Sequence, residues 1–351
     1  MAALLVVFDH IGFRFVPGGL GVLAFFVLSG FLITWLLIGE EERMSSISLP
    51  RFYLRRAFRI FPAFYVYFVV VLFVTVATHH RINVPQAFSA AFYFTNYYQA
   101  IFGDPNTGLS HTWSLAVEEQ FYLLWPLGFL MLRTNGRRFT ALAIAIPVLW
   151  VYRELLVFVV HAPQSYIYEA FDTRADHLLV GCLLAVSLRG GRFQRLWKLA
   201  CSSPTMVLAT ASLIAACEAM KFASGGFDYR DSVEFVIAPA LIAILIVQLI
   251  AFDAHRVTAP FNWGWMRYLG LLSYSIYLYQ QLLVWPVMKV FRSHPTLGIV
   301  ATVTAIIIAA AGSYHFVERP FLRLRSRVER AFFGVAAPVT DGSSTGPLPA
   351  V

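Results

Sequence analysis

The chain has 351 residues, of which 59% are hydrophobic and 13% charged, with a formal net charge of +8. Soluble domains average ~45–50% apolar and ~25% charged residues, so this balance excludes a soluble enzyme, a disordered chain and a fibrous one. One membrane-spanning helix needs ~20 mostly apolar residues, and the apolar content supplies roughly ten.

Apolar stretches are predicted at about 1–11, 19–38, 60–78, 112–132, 139–160, 175–188, 204–220, 233–252, 269–290 and 297–317. The fold class is therefore all-α, a polytopic bundle of about ten spans. The first stretch is too short to cross a bilayer and reads as a truncated helix. It lacks the basic n-region and small-residue cleavage site of a signal peptide. Residues 1–333 form one transmembrane domain, and 334–351, rich in Gly, Ser and Pro, read as a disordered tail.

Cations set the orientation. Of 27 Lys and Arg residues, 19 fall in alternate loops plus the tail: Arg43 to Arg59, Arg133 to Arg138, Arg189 to Lys198, Arg256 and Arg267, and Arg319 to Arg330. The other 8 lie on the opposite side or within spans. Both ends are thus predicted to be cytoplasmic, with 80–110 outside, in a plasma (inner) membrane. The net charge is a topology signal, and nucleic acid drops out as a partner. Cys182, Cys201 and Cys217 show neither a CxxC pair nor metal-ligand spacing.

Ionisable groups within spans are costly and mark functional candidates. His10, preceded by Asp9, closes the first stretch; a lone histidine at a helix end is more often interfacial. In Ser110-His111-Thr112-Trp113-Ser114-Leu115-Ala116-Val117-Glu118-Glu119, helical periodicity puts His111 and Glu118 within 20° of each other, and Glu119 about 100° away. Acids near a helix start also suit the macrodipole. Asp172, Arg174, Asp176 and His177 open the sixth stretch, fitting either a buried ion-pair network or substrate binding. Arg51, Arg55, Arg56 and Arg59 recur three to four apart among aromatic residues. They suit a positive-inside anchor or a site for an anionic donor, since Arg forks match phosphates.

Together these segments resemble the acyltransferase 3 family of integral-membrane acyltransferases. Phe25-Phe26-Val27-Leu28-Ser29-Gly30-Phe31, Arg51 to Pro62, Trp113 to Tyr122, Asp172 to Asp176, Leu269 to Tyr279 and Tyr314 to Phe321 stand in family order. The resemblance implies transfer of an acyl group, usually acetyl, from cytosolic acyl-CoA to a sugar hydroxyl of an envelope glycan or glycolipid. Acyl-CoA serves as co-substrate; no metal or other cofactor is implied. His10 matches the family's first-helix histidine, as base or transient acyl carrier, while that motif's arginine would lie ahead of Met1. Glu118 or Glu119 would orient the histidine, the four arginines would hold the donor phosphates, and His111, Trp113, Ser114, Asp172, Arg174 and Asp176 would line the acceptor. Gln280 departs from the pattern, where the family commonly has histidine. A flippase of lipid-linked sugar and an inactive scaffold remain as alternatives. A transporter is expected to show paired repeats with broken helices, and none is visible.

Overall fold

The computed structural model describes residues 2–13, 16–224 and 227–334, and the expected tail lies, apart from residue 334, outside the described residues. Among them there is no strand. In chain order the helices are α1 (Ala2–Ile11), α2 (Gly18–Met44), α3 (Leu49–Ala77), α4 (Val84–Ala91), α5 (Thr95–Phe102), α6 (Thr112–Met131), α7 (Asn135–Leu155) and α8 (Gln164–Glu169). Then come α9 (Phe171–Arg189), α10 (Gln194–Ala200), α11 (Thr205–Ala223), α12 (Phe227–Tyr229), α13 (Phe235–Ala251), α14 (Gly264–Val290), α15 (Pro295–Ser313) and α16 (Arg319–Phe333). Leu156–Val160, Arg230–Glu234 and Tyr314–Glu318 are π-helical turns that prolong or join their neighbours.

All ten apolar stretches fall on helices, but the ten-span count is not met by length and apolarity. Five helices, extended by their π-turns, are long and apolar enough to cross a membrane, and a sixth is counted if α10 and α11, bent by 91°, act as one span. The shortfall has a physical cause. α1 has only ten residues. The helices α6, α9 and α14 bring acids, amides, arginines and tyrosines into otherwise apolar sequence, and α6 and α14 are among those that line the cavities described below. Lipid-facing stripes are nonetheless plain: Ile144, Val148, Val151 and Leu155 are exposed at helical spacing along α7. The architecture is that of a multi-pass membrane protein.

Small residues bring α2 and α9 together. A Cβ on Gly30 would lie 1.9 Å from the backbone oxygen of Leu178, and one on Gly181 would lie 2.0 Å from that of Val27. Hydrogen at both positions is what lets the two backbones touch, as in close-packed membrane helices. α1 packs on α2 and α14, and α16 folds back on α3. There Glu329 pairs with Arg55, Phe321 meets Phe58, and Arg51 lies 5.2 Å over the Phe333 ring.

Candidate active site

Two cavities adjoin, with Val22 and Tyr277 in the lining of both. The first, about 200 Å³, is lined by α2, α3, α6 and α14 and includes Ser29, Arg56, Arg59, Glu118, Glu119 and Tyr122. Arg59 is exposed at its rim, whereas Arg56 is half-buried with its guanidinium 3.6 Å over the Tyr122 ring. Ser29 donates to Glu118 Oε1 at 2.6 Å. Carboxylates and guanidinia thus share one small space, below the ~300–1,000 Å³ of sites for drug-sized ligands. It has room for a slender chain.

The second cavity, about 230 Å³, is lined by Asp9, His10, Asp104, Ser110, His111, Trp113, Tyr168, Glu169 and Gln281 among others. His10 sits in the last turn of α1, and its Nδ1 lies 3.1 Å from Gln280 Oε1. An amide oxygen only accepts, so His10 donates from Nδ1 and its Nε2 carries the lone pair. His111, buried just before α6, has neither ring nitrogen hydrogen-bonded among the described residues. Its ring packs against Tyr67 and Tyr277 at centroid distances of 5.7 and 5.2 Å. Ser110 donates to Asp104 Oδ1 at 2.5 Å. Glu169 ends α8, a short segment between spans. Burial pushes its carboxyl up to about 8, the charge on Asp104 adding to the effect and Arg174 opposing it.

The structure brings only some of the sequence candidates together. His10, His111 and Trp113 share the second cavity; Ser114, Glu118, Glu119, Arg56 and Arg59 share the first. The expectation that Glu118 or Glu119 orients His10 is not met, because the glutamates line the other cavity and Gln280 occupies the His10 ring nitrogen. His111 stands just before α6 and Glu118 seven residues further on, about 10 Å of helical rise away, and the two line different cavities. Of the four arginines, Arg55 is turned to Glu329 and Arg51 to Phe333, so neither lines the cavity.

The group opening α9 lines neither cavity. Asp172 accepts hydrogen bonds from the hydroxyls of Tyr97, Tyr152 and Tyr166 at 2.9, 2.8 and 3.0 Å, tying α5, α7 and α8 to α9. Asp176 pairs with Arg153 at 2.8 Å and accepts from Trp150 Nε1 at 3.0 Å. Arg174 is fully buried among aromatic faces, 4.0 Å from the Phe235 centroid and 5.0 Å from that of Tyr168. The contacts of Asp172 and Asp176 are those of a buried hydrogen-bond and ion-pair network, while the guanidinium nitrogens of Arg174 have no hydrogen-bond partner among the described residues. Sequence reasoning missed Asp104 and Glu169, which carry no periodic signal, and gave no role to Tyr122 and Tyr277, which stand in quoted motifs. Among the described residues no three His, Cys, Asp or Glu side chains are grouped to hold a metal ion.

The described residues thus form an all-helical membrane bundle in which an acid–arginine cavity adjoins an imidazole cavity. Residues 1–316 match the acyltransferase domain of the acyltransferase 3 family, and the chain belongs to that family. It is 32% identical over 340 residues to the peptidoglycan O-acetyltransferase OatA of Listeria monocytogenes, covering 91% of this chain and 54% of that protein. It is 29% identical over 361 residues to the O-acetyltransferase OatA of Staphylococcus aureus, covering 94% of this chain and 57% of that protein. The chain therefore spans about half the length of the curated relatives it matches. No solved structure matches it.

Proposed function

We propose that this chain is a membrane O-acyltransferase that moves an acetyl group from cytosolic acetyl-CoA to a hydroxyl of an envelope glycan of the peptidoglycan type. The observation that carries the reading is the pair of adjoining cavities, one with arginines at its rim and interior, the other with a histidine whose Nε2 is free to accept a proton. The glycan acceptor is suggested by the names of the two relatives. In this reading the arginine cavity opens to the cytoplasm, the histidine cavity faces outside the plasma membrane, and both termini are cytoplasmic.

The chemistry follows from the side chains. Arg59 at the rim meets donor phosphate, since a guanidinium pairs well with phosphate oxygens, while the thioester arm runs inward past Arg56. An alcohol is a weak nucleophile at neutral pH and needs a base. His10 Nε2 takes the acceptor proton as the acceptor oxygen attacks the thioester carbonyl. The new C–O bond forms, the C–S bond breaks, and the proton passes from His10 to the departing CoA thiolate. Gln280 holds the ring in the tautomer this requires.

The test is release of CoA thiol from acetyl-CoA by the purified protein in proteoliposomes, with and without soluble peptidoglycan fragments. Acceptor-dependent release, with acetyl ester recovered on the glycan, supports the reading. Acetyl-CoA left intact in the presence of acceptor overturns it.

A further inference from the structure

The donor and the base line different cavities, so the reacting carbonyl has to pass from one to the other. Two residues line both cavities, Val22 of α2 and Tyr277 of α14. Tyr277 is only 6% exposed. Its hydroxyl donates to the backbone carbonyl of His111 at 2.8 Å and lies 2.5 Å from Ser114 Oγ. A phenol has one proton, so with that proton on the His111 carbonyl the Ser114 hydroxyl is the donor in the second contact. Both partners stand at the start of α6, between His111 of one cavity and Glu118 of the other. Opposite, Val22 closes the gap from α2, and Phe25 packs edge-on to the Tyr277 ring at 6.2 Å.

We propose that Tyr277, latched by Ser114 and the His111 carbonyl, and Val22 form a closable partition between the two cavities, and that the opening it leaves sets which acyl chains are transferred. The inference rests on the donor reading above. The partition is held by hydrogen bonds to one tyrosine and by packing on one small side chain, so a change of rotamer at Tyr277 joins about 200 Å³ to about 230 Å³. A continuous passage of that bore suits an acyl-bearing arm and excludes a nucleotide. Acetyl passes a narrow gap more readily than butyryl, which adds two methylenes. Keeping water from a thioester awaiting its acceptor is a further consequence of closure.

Two readouts test this. In sealed vesicles of the full-length Ser29→Cys protein, a membrane-impermeant maleimide is added from the His10 side, and labelling at position 29 is read by mass spectrometry. Labelling is expected to be slow in the parent and to rise about tenfold or more when Tyr277→Ala or Val22→Ala is added. The second readout is the ratio of acetyl to butyryl transfer from the respective CoA thioesters. It is expected to fall about tenfold in Val22→Ala, because a methylene in a fitted passage discriminates by that order. Tyr277→Phe, which keeps the ring and loses the latch, is expected to raise labelling and leave the ratio above that of Val22→Ala. Equal labelling of parent and variants overturns the partition. An unchanged acyl ratio despite raised labelling overturns its role as a sieve. A parent that transfers no acyl group from either thioester overturns the donor reading and the sieve with it, while the labelling still reports on the partition.

Discussion

At the scale of single residues, His10 and Gln280 form the pair on which the chemistry turns. Replacing His10 by alanine is expected to lower acyl transfer by ~10²–10⁴-fold, the usual loss for a general base. Gln280→Leu keeps the volume but frees the imidazole to take either tautomer, so transfer is expected to fall by less, about tenfold, with a shifted pH–rate profile and an unchanged KM for acetyl-CoA. An unshifted profile contradicts the orienting role. Arg59→Ala is expected to raise the KM for acetyl-CoA by about tenfold, the scale of one charge-assisted hydrogen bond to phosphate. Glu169 yields a stability prediction. Its carboxyl, moved from an ordinary value of 4.5 up to about 8 by burial, keeps its proton in the folded state at pH values where the unfolded chain has lost it. The contribution is full below pH 4.5 and is lost as pH rises through 8. Thermal stability of the parent is expected to fall across that window, and Glu169→Gln to flatten the fall; parallel curves for the two proteins would contradict the assignment.

Elements were legible in the sequence where the pattern is local, and obscure where position depends on packing. All ten apolar runs fall on helices, because a run of apolar residues needs no tertiary knowledge to be read. The expectation that His111 and Glu118 share a face came from 100° per residue; the depth that puts them in separate cavities could not be read that way, because angle says nothing of rise. Glu169 sits on a six-residue helix and Asp104 in an irregular loop, and neither has a period to betray it. The His10–Gln280 contact joins residues 270 apart in sequence, beyond any local rule. Gly30 stands in a motif quoted for its family resemblance, and the structure shows what it packs on, the backbone of Leu178. Gly30→Val and Gly181→Val are each expected to abolish the folded state, since the added atoms would enter the facing backbone oxygen. Recovery of either variant at parental yield and melting temperature would mean that α2 and α9 can separate without consequence.

At the scale of the whole molecule, the polar residues that weaken α6, α9 and α14 as membrane spans are divided between two jobs. Asp172 and Asp176 at the start of α9 are paired with the three tyrosines and with Arg153 and bind the bundle together. Those on α6 and α14, together with groups on α1, α3 and just before α6, line two cavities that share Val22 and Tyr277. Burying ionisable groups is costly in a bilayer, and Glu118 and Glu119 face a cavity while Asp172 and Asp176 hold hydrogen-bond partners; Arg174 lies among aromatic faces instead. The account's central claim is that donor and acceptor are handled from opposite faces of the membrane. Sealed proteoliposomes with the arginine-cavity side facing inward, loaded with labelled acetyl-CoA and given peptidoglycan fragments only in the outer medium, measure this directly. The account predicts labelled acetyl ester on the external glycan while CoA stays inside, and no such product with His10→Ala. Acetylation that occurs only when donor and acceptor share one compartment would contradict it.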